Sequence, residues 1–266
     1  MSVIRELRSA RELRAACGDD DLVMWAAQDL GGGGRAWALG DAVVAGCLGV
    51  SRRDRLGVWG GASSAVELVR HALGELGPSY RPFGERGLMR EVSAKLDGLE
   101  ESGAFSWMSL PGVVEAGGGG VGWLGGEAMT DVAADVAAEV AAEVAALLAA
   151  DAPESYAVPG VAGVSRWAGV RVGGELAAVA ADAWSAPTVG LMAGVATRAR
   201  FRGRGLAERV CRWVSRELVA AYGRAALMVD DDNPAAITVY ERIGYGRRLV
   251  LACHVAGVAG VAGVAG

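Results

Sequence analysis

The chain has 266 residues, 52% of them hydrophobic and 21% charged, with a formal net charge of −5. This is a globular, soluble-type composition despite its excess of glycine and alanine, with material for one large domain or two small ones. Because basic residues gather at a single turn in a net negative chain, no nucleic-acid partner is expected.

Four cysteines (Cys17, Cys47, Cys211, Cys253) have no C-x-x-C spacing and read as small buried hydrophobes, with neither a metal nor a disulfide framework implied. The opening M-S-V-I-R-E-L-R is charged and lacks the apolar run of a secretory signal. The uncharged stretch 249–266 contains His254 and regularly spaced glycines, which argues against a membrane span. A reduced, cytoplasmic setting is the expectation.

Along the chain, 31–34 is a glycine loop, 36–39 and 42–50 form a hairpin about Gly40 and Asp41, 57–59 is a short strand and 65–76 a helix. Arg81-Pro82-Phe83-Gly84 reads as a turn. Gly117–Gly120, after Pro111, suggests a linker, which divides the chain into an N-terminal domain (1–115) and a C-terminal one (116–254). The tail 255–266, four copies of V-A-G, is expected to be disordered.

The repeat at 131–146 is a helix whose Val132, Val136, Val140, Val144 and Leu148 form an apolar stripe. Its parallel row of Asp131, Asp135, Glu139 and Glu143 is read as a solvated face. Strands then follow at 165–172 and 175–184 about the Gly173-Gly174 turn, and at 188–197. A helix covers 206–222, with Val210, Trp213, Val214, Leu218 and Ala221 toward the core. The last elements are a strand (225–229), a helix with Pro234 in its first turn (234–242) and a strand (248–254). The fold class is α+β, a sheet layered by helices.

The passage from strand to helix at 195–208 is the most informative part. An apolar strand enters a basic, glycine-bearing turn and then a helix, so backbone N–H groups and a positive helix end converge on one point. Six arginines (Arg198, Arg200, Arg202, Arg204, Arg209, Arg212) against one acid, Glu208, surround that point. A phosphate-bearing ligand is the natural occupant.

Arg202-Gly203-Arg204-Gly205-Leu206-Ala207 matches the R/Q-x-x-G-x-G/A signature of the GCN5-related N-acetyltransferases (GNAT). Asn233 to Tyr245 matches the second signature, N-x-x-A-x-x-x-Y-x-x-x-G-[FY]. On these residues the chain resembles that family, closely over 186–247 and more loosely back to Val121. The resemblance implies a mixed, mostly antiparallel sheet layered by helices, and residues 1–115 then read as a smaller α/β half, a degenerate copy without a second cofactor site.

It also implies an enzyme that moves an acetyl group from acetyl-CoA, as co-substrate and without a metal, to a small-molecule or peptide amine by direct attack in a ternary complex. Val195, Ala196 and Thr197 would offer an unpaired strand edge to the pantetheine amides. Arg202, Gly203, Arg204, Gly205, Leu206, Ala207 and Glu208 would cradle the pyrophosphate. Asn233 caps the following helix and contacts the cofactor arm. Tyr240 protonates the departing thiolate, for which a phenol is suitably basic.

No general base is evident. The position where N-terminal acetylating relatives carry a glutamate is Met228, which leaves Asp182, Asp230 and Asp231 as candidates beside a water relay. His71 and His254 read as structural. Two rivals remain: a Rossmann unit on Gly203-x-Gly205, weakened by Glu208 at its third glycine position, and a non-catalytic acyl-CoA sensor.

Overall fold

Successive side chains of a strand face opposite sides of its sheet, and this alternation builds the frame. In the strand Ala42–Val50, Val43, Ala45 and Cys47 enter one core cluster while Ala42 and Val44 enter another. In the strand Ala225–Asp230, Ala226 faces the first of these clusters, and Ala225 and Leu227 face a third. The computed structural model describes residues 3–112, 119–125 and 134–257.

In chain order the elements are β1 (Arg5–Leu7), α1 (Ala10–Cys17), α2 (Asp21–Ala26), β2 (Arg35–Leu39), β3 (Ala42–Val50), β4 (Arg53–Trp59), α3 (Ala62–Leu76), β5 (Arg81–Glu85), α4 (Arg86–Lys95) and β6 (Leu99–Leu110). There follow β7 (Val121–Trp123), α5 (Ala134–Asp151), β8 (Val164–Val172), β9 (Glu175–Ala183), β10 (Gly190–Thr197), α6 (Leu206–Tyr222), β11 (Ala225–Asp230), α7 (Pro234–Ile243) and β12 (Gly246–Val255). The twelve strands of the described residues form one sheet, ordered β1-β2-β3-β4-β5-β12-β6-β11-β10-β9-β8-β7. Its neighbours are antiparallel except β4 with β5 and β10 with β11, each joined by a crossover helix, α3 and α6. Helices α3, α4, α6 and α7 cover one face, and α1, α2 and α5 the other, where Trp25, Phe83 and Trp107 form the centre.

The order β2-β3-β4-α3-β5-α4-β6 recurs as β8-β9-β10-α6-β11-α7-β12. The last strand of each series crosses to the other, so that β6 pairs with β11 and β12 pairs with β5, both antiparallel. β6 and β12 also pair with each other along ten residue pairs, from Gly246↔Ser109 to Val255↔Leu99. The sheet is thus continuous across the boundary expected near residue 115.

Several expectations need correction. Arg81-Pro82-Phe83-Gly84 is a strand rather than a turn, because it pairs with both β4 and β12. β6 was not foreseen: its polar first half breaks alternation, yet it lies mid-sheet. On α5, Val144 and Leu148 are buried together with Leu147, whereas Val136 is 45% exposed, since the helix meets the sheet only over its C-terminal half. Its Glu143 pairs with Arg171. Ala221 is exposed on α6 and Trp213 partly so, while Cys211 and Ser215 take the buried positions. Asp131, Val132, part of the 117–120 segment and most of the tail lie outside the described residues.

Candidate acyl-CoA site

β10 and β11 begin as parallel neighbours and then separate. Only Gly190, Leu191 and Met192 pair, with Ala225, Ala226 and Leu227. A bulge between Ala193 and Ala196 turns β10 away, with Gly194 at φ +63. A Cβ at Gly194 would stand 2.5 Å from the Trp167 ring, so conformation and space both require glycine. This leaves Val195, Ala196 and Thr197 unpaired toward β11, on the wall of a cavity of about 920 Å³.

The turn after β10 continues that wall. Gly203 (φ +74) and Gly205 (φ +71) are left-handed, and the space around both is open. Gly205 caps α6 without a side-chain hydrogen bond, and the first helical bond there runs from the Arg209 N–H to the Gly205 carbonyl at 3.1 Å. The N–H groups of Leu206, Ala207 and Glu208 therefore precede any intrahelical acceptor and sit at the positive end of the helix. All three residues line the cavity, as do Arg202, Gly203 and Gly205.

The arginines contribute less free charge than their number suggests. Arg198 and Arg200 pair with Glu175, and Arg212 pairs with Glu208. Arg202 braces the turn: its Nε donates to the Thr197 carbonyl at 3.2 Å, and its terminal nitrogen donates to the Asp151 carbonyl at 3.1 Å. Arg209 donates to the Gly119 carbonyl. Arg204 lies over the Phe201 ring and is not part of the cavity wall. Backbone donors, more than side chains, give this helix end its positive character.

On the opposite wall Asn233 caps α7, its Oδ1 accepting from the Ala236 N–H at 3.1 Å. Two turns on, Tyr240 is 6% exposed and packs edge-on against Tyr245 at 6.0 Å. Burial, followed by the nearby Cys211 and Tyr245, pushes this phenol well above its ordinary value, so it stays protonated. Both Asn233 and Tyr240 line the cavity.

The three candidate bases are separated by the structure. Asp182 is buried in an ion pair with Arg166 and bonded to Ser185 and Tyr222, away from the cavity. Asp231 ties the two halves together through Ser106, Arg86 and Arg247. Asp230 alone lines the cavity, beside Met228, and its carboxyl is raised by burial and then by Asp232 and Asp231. Sequence reasoning missed the N-terminal contribution: Arg53, Arg55 and Arg81 also line this cavity, and arginines on apolar strands were the available signal. The four cysteines are buried and unpaired, and burial pushes Cys211 and Cys253 up to about 12. Among the described residues no cluster of histidine, cysteine or acid is placed to hold a metal ion, and no helix is long and apolar enough to cross a membrane.

Residues 168–253 match the family model described as FR47-like protein. No curated protein matches the chain. A GCN5-related N-acetyltransferase from Kribbella flavida superposes with a TM-score of 0.56 at 18% identity, covering 93% of this chain and 95% of its own. An acetyltransferase ascribed to the GNAT family, from Novosphingobium aromaticivorans DSM 12444, gives 0.52 at 22% identity, covering 89% and 97%. A GCN5-related N-acetyltransferase from Sphaerobacter thermophilus gives 0.51 at 16%, covering 95% and 94%. With parallel strands that part, a glycine turn feeding a helix and a tyrosine across the gap, this chain has the fold of the GCN5-related N-acetyltransferases.

Proposed function

We propose that the protein is an acyl-CoA-dependent N-acetyltransferase with its site in the gap between β10 and β11. The observation that carries this reading is the continuity of the unpaired β10 edge with the open N-terminus of α6, facing a protonated Tyr240. The residues suit acetyl-CoA. The N–H groups of Leu206 to Glu208 would take the pyrophosphate, with Gly203 and Gly205 letting the backbone approach. Val195 to Thr197 would pair with the pantetheine amides as an added strand. When bound, the thioester supplies an electrophilic acyl carbon.

The remaining chemistry belongs to the chain. A backbone N–H near Val195 in the bulge would polarise the thioester carbonyl. Tyr240 donates its proton to the sulfur as the carbon–sulfur bond breaks, and Asp230, whose raised carboxyl suits a proton acceptor, takes the proton released by the attacking amine. Arg202 keeps the turn attached to the end of α5.

Thermal shift with CoA, NAD and ATP, together with thiol release over an amine panel, tests the reading. CoA at 100 times its Kd should add about 2.7 kcal/mol of stability. Stabilisation by NAD alone would favour a Rossmann-type ligand, and CoA binding without transfer to any amine would favour a sensor.

A further inference from the structure

The end of the cavity remote from the α6 turn is built by the N-terminal half. Arg53 and Arg55, two apart on β4, share one sheet face, and Arg55 stands beside Arg81 of β5 in the parallel register. Arg55 is only 7% exposed and lies 5.5 Å from the Phe83 ring centre. Among the described residues its Nε has no hydrogen-bond partner. No carboxylate among those residues forms an ion pair with it, and its charged neighbours are Arg53 and Arg81. Burial first, and then the Arg53 charge, lowers it to about 10, which still leaves a cation at neutral pH. Arg81 is lowered by the same two causes. Of the carboxylates of the cavity wall (Glu154, Glu208 and Asp230), none is in an ion pair with Arg55, and Glu208 is held by Arg212.

A buried guanidinium without a counter-charge is costly and is normally paired. The planar fork of arginine matches the two oxygens of a carboxylate or the oxygens of a phosphate. β5 lies three strands from β11, roughly 14 Å at the usual strand spacing. An acceptor that reaches the thioester from there is elongated.

We propose that the acceptor is an elongated amine carrying a carboxylate or phosphate at the end remote from its nitrogen, and that Arg55 and Arg81 hold that oxyanion. This rests on the acyl-transfer reading above.

The test is calorimetric titration of the CoA-loaded protein with 6-aminohexanoate, 6-aminohexyl phosphate and hexylamine; loading with CoA closes the α6 turn to free oxyanions. At least one anionic amine is expected to bind ten-fold or more tightly than hexylamine, and the better of the two identifies the oxyanion. Arg55→Met should abolish the preference while raising the melting temperature, because it removes a buried charge and keeps an unbranched stem. Arg81→Gln is the second variant in case Arg55→Met folds poorly, and it should weaken the same preference. Equal binding of all three amines, or a preference that survives both variants, overturns the proposal. Thiol release with the same compounds separates the two readings. Equal turnover of all three sinks the anion-bearing acceptor and leaves the transferase. Anion-selective binding without thiol release sinks the transferase, and with it the acceptor role.

Discussion

The starts of α3 and α6 share a plan, a strand leading through a glycine turn into a crossover helix, yet only one is open to a ligand. At α3 the turn is Gly60-Gly61, and the Asp41 side chain sits against Gly61 while accepting from the Ser64 hydroxyl at 2.9 Å. A carboxylate of the protein thus already occupies that helix end. The strands before it stay together, β4 pairing with β5 as far as Val58↔Gly84, with Gly84 tight against the Val58 carbonyl. Neither helix has a side-chain cap, but at α6 both turn glycines face open space and β10 leaves β11 after three pairs. A repeated frame does not by itself make an anion site. The turn must be clear of the protein's own carboxylates, and the strands in front of it must part.

The two helices facing these gaps differ as well, since α7 carries Tyr240 whereas α4 has no tyrosine. Tyr240→Phe is therefore expected to have the largest effect, lowering kcat by about 10²- to 10⁴-fold with the Kd for CoA nearly unchanged, because the phenol acts mainly in the transition state. Wild-type turnover in the variant would reduce the tyrosine to a packing residue. Next, Ala207→Asp should raise the Kd for CoA by roughly 10- to 100-fold, since it adds like charge where the pyrophosphate would sit. The matching change at the start of α3, Ser63→Asp, should leave that Kd alone; calorimetry on both variants decides whether the two helix ends really differ.

Closing the gap should cost stability. Gly194→Ala forces a left-handed alanine against Trp167, at about 2 kcal/mol and hence a loss of roughly 4–8 °C in Tm. An unchanged Tm would show that the bulge is not held by that contact. The smallest effect is expected from Asp41→Asn, under about 1 kcal/mol, because an amide oxygen can still accept from Ser64. CoA stoichiometry should stay at one site per chain; a second equivalent would mean that the Asp41 charge alone had closed the N-terminal turn.

The C-terminal elements were legible because their signals are local. Asn233 followed by Pro234 marks a helix start, Gly173-Gly174 a hairpin, and the spacing of Val210, Val214 and Leu218 a core-facing stripe. The glycine turn from strand to helix at 203–208 was legible for the same reason, since it is made by six consecutive residues. β6 was not, because E-E-S-G gives no apolar period: that half of the strand is largely exposed and pairs with β12 alone, so burial does not select apolar residues there. Arg202 and Arg204 look alike in the motif, but Arg202 is drawn to Asp151 and Thr197 and Arg204 to Phe201, partners that only packing supplies.

By itself the amino-acid order determined the strand-turn-helix at 195–208, the capped helix at Asn233 and the resemblance these carry, since each depends on contacts within a few residues. Tertiary structure decided the rest. It chose Asp230 over Asp182 and Asp231 at the cavity, closed the turn at α3 with Asp41, and exchanged β6 and β12 between the halves. That exchange extends the sheet, so that Arg55 and Arg81, more than a hundred residues from Tyr240 in the chain, line the same cavity. Strand pairing and burial are long-range outcomes of chain closure, and they leave no short-range mark in the order of residues.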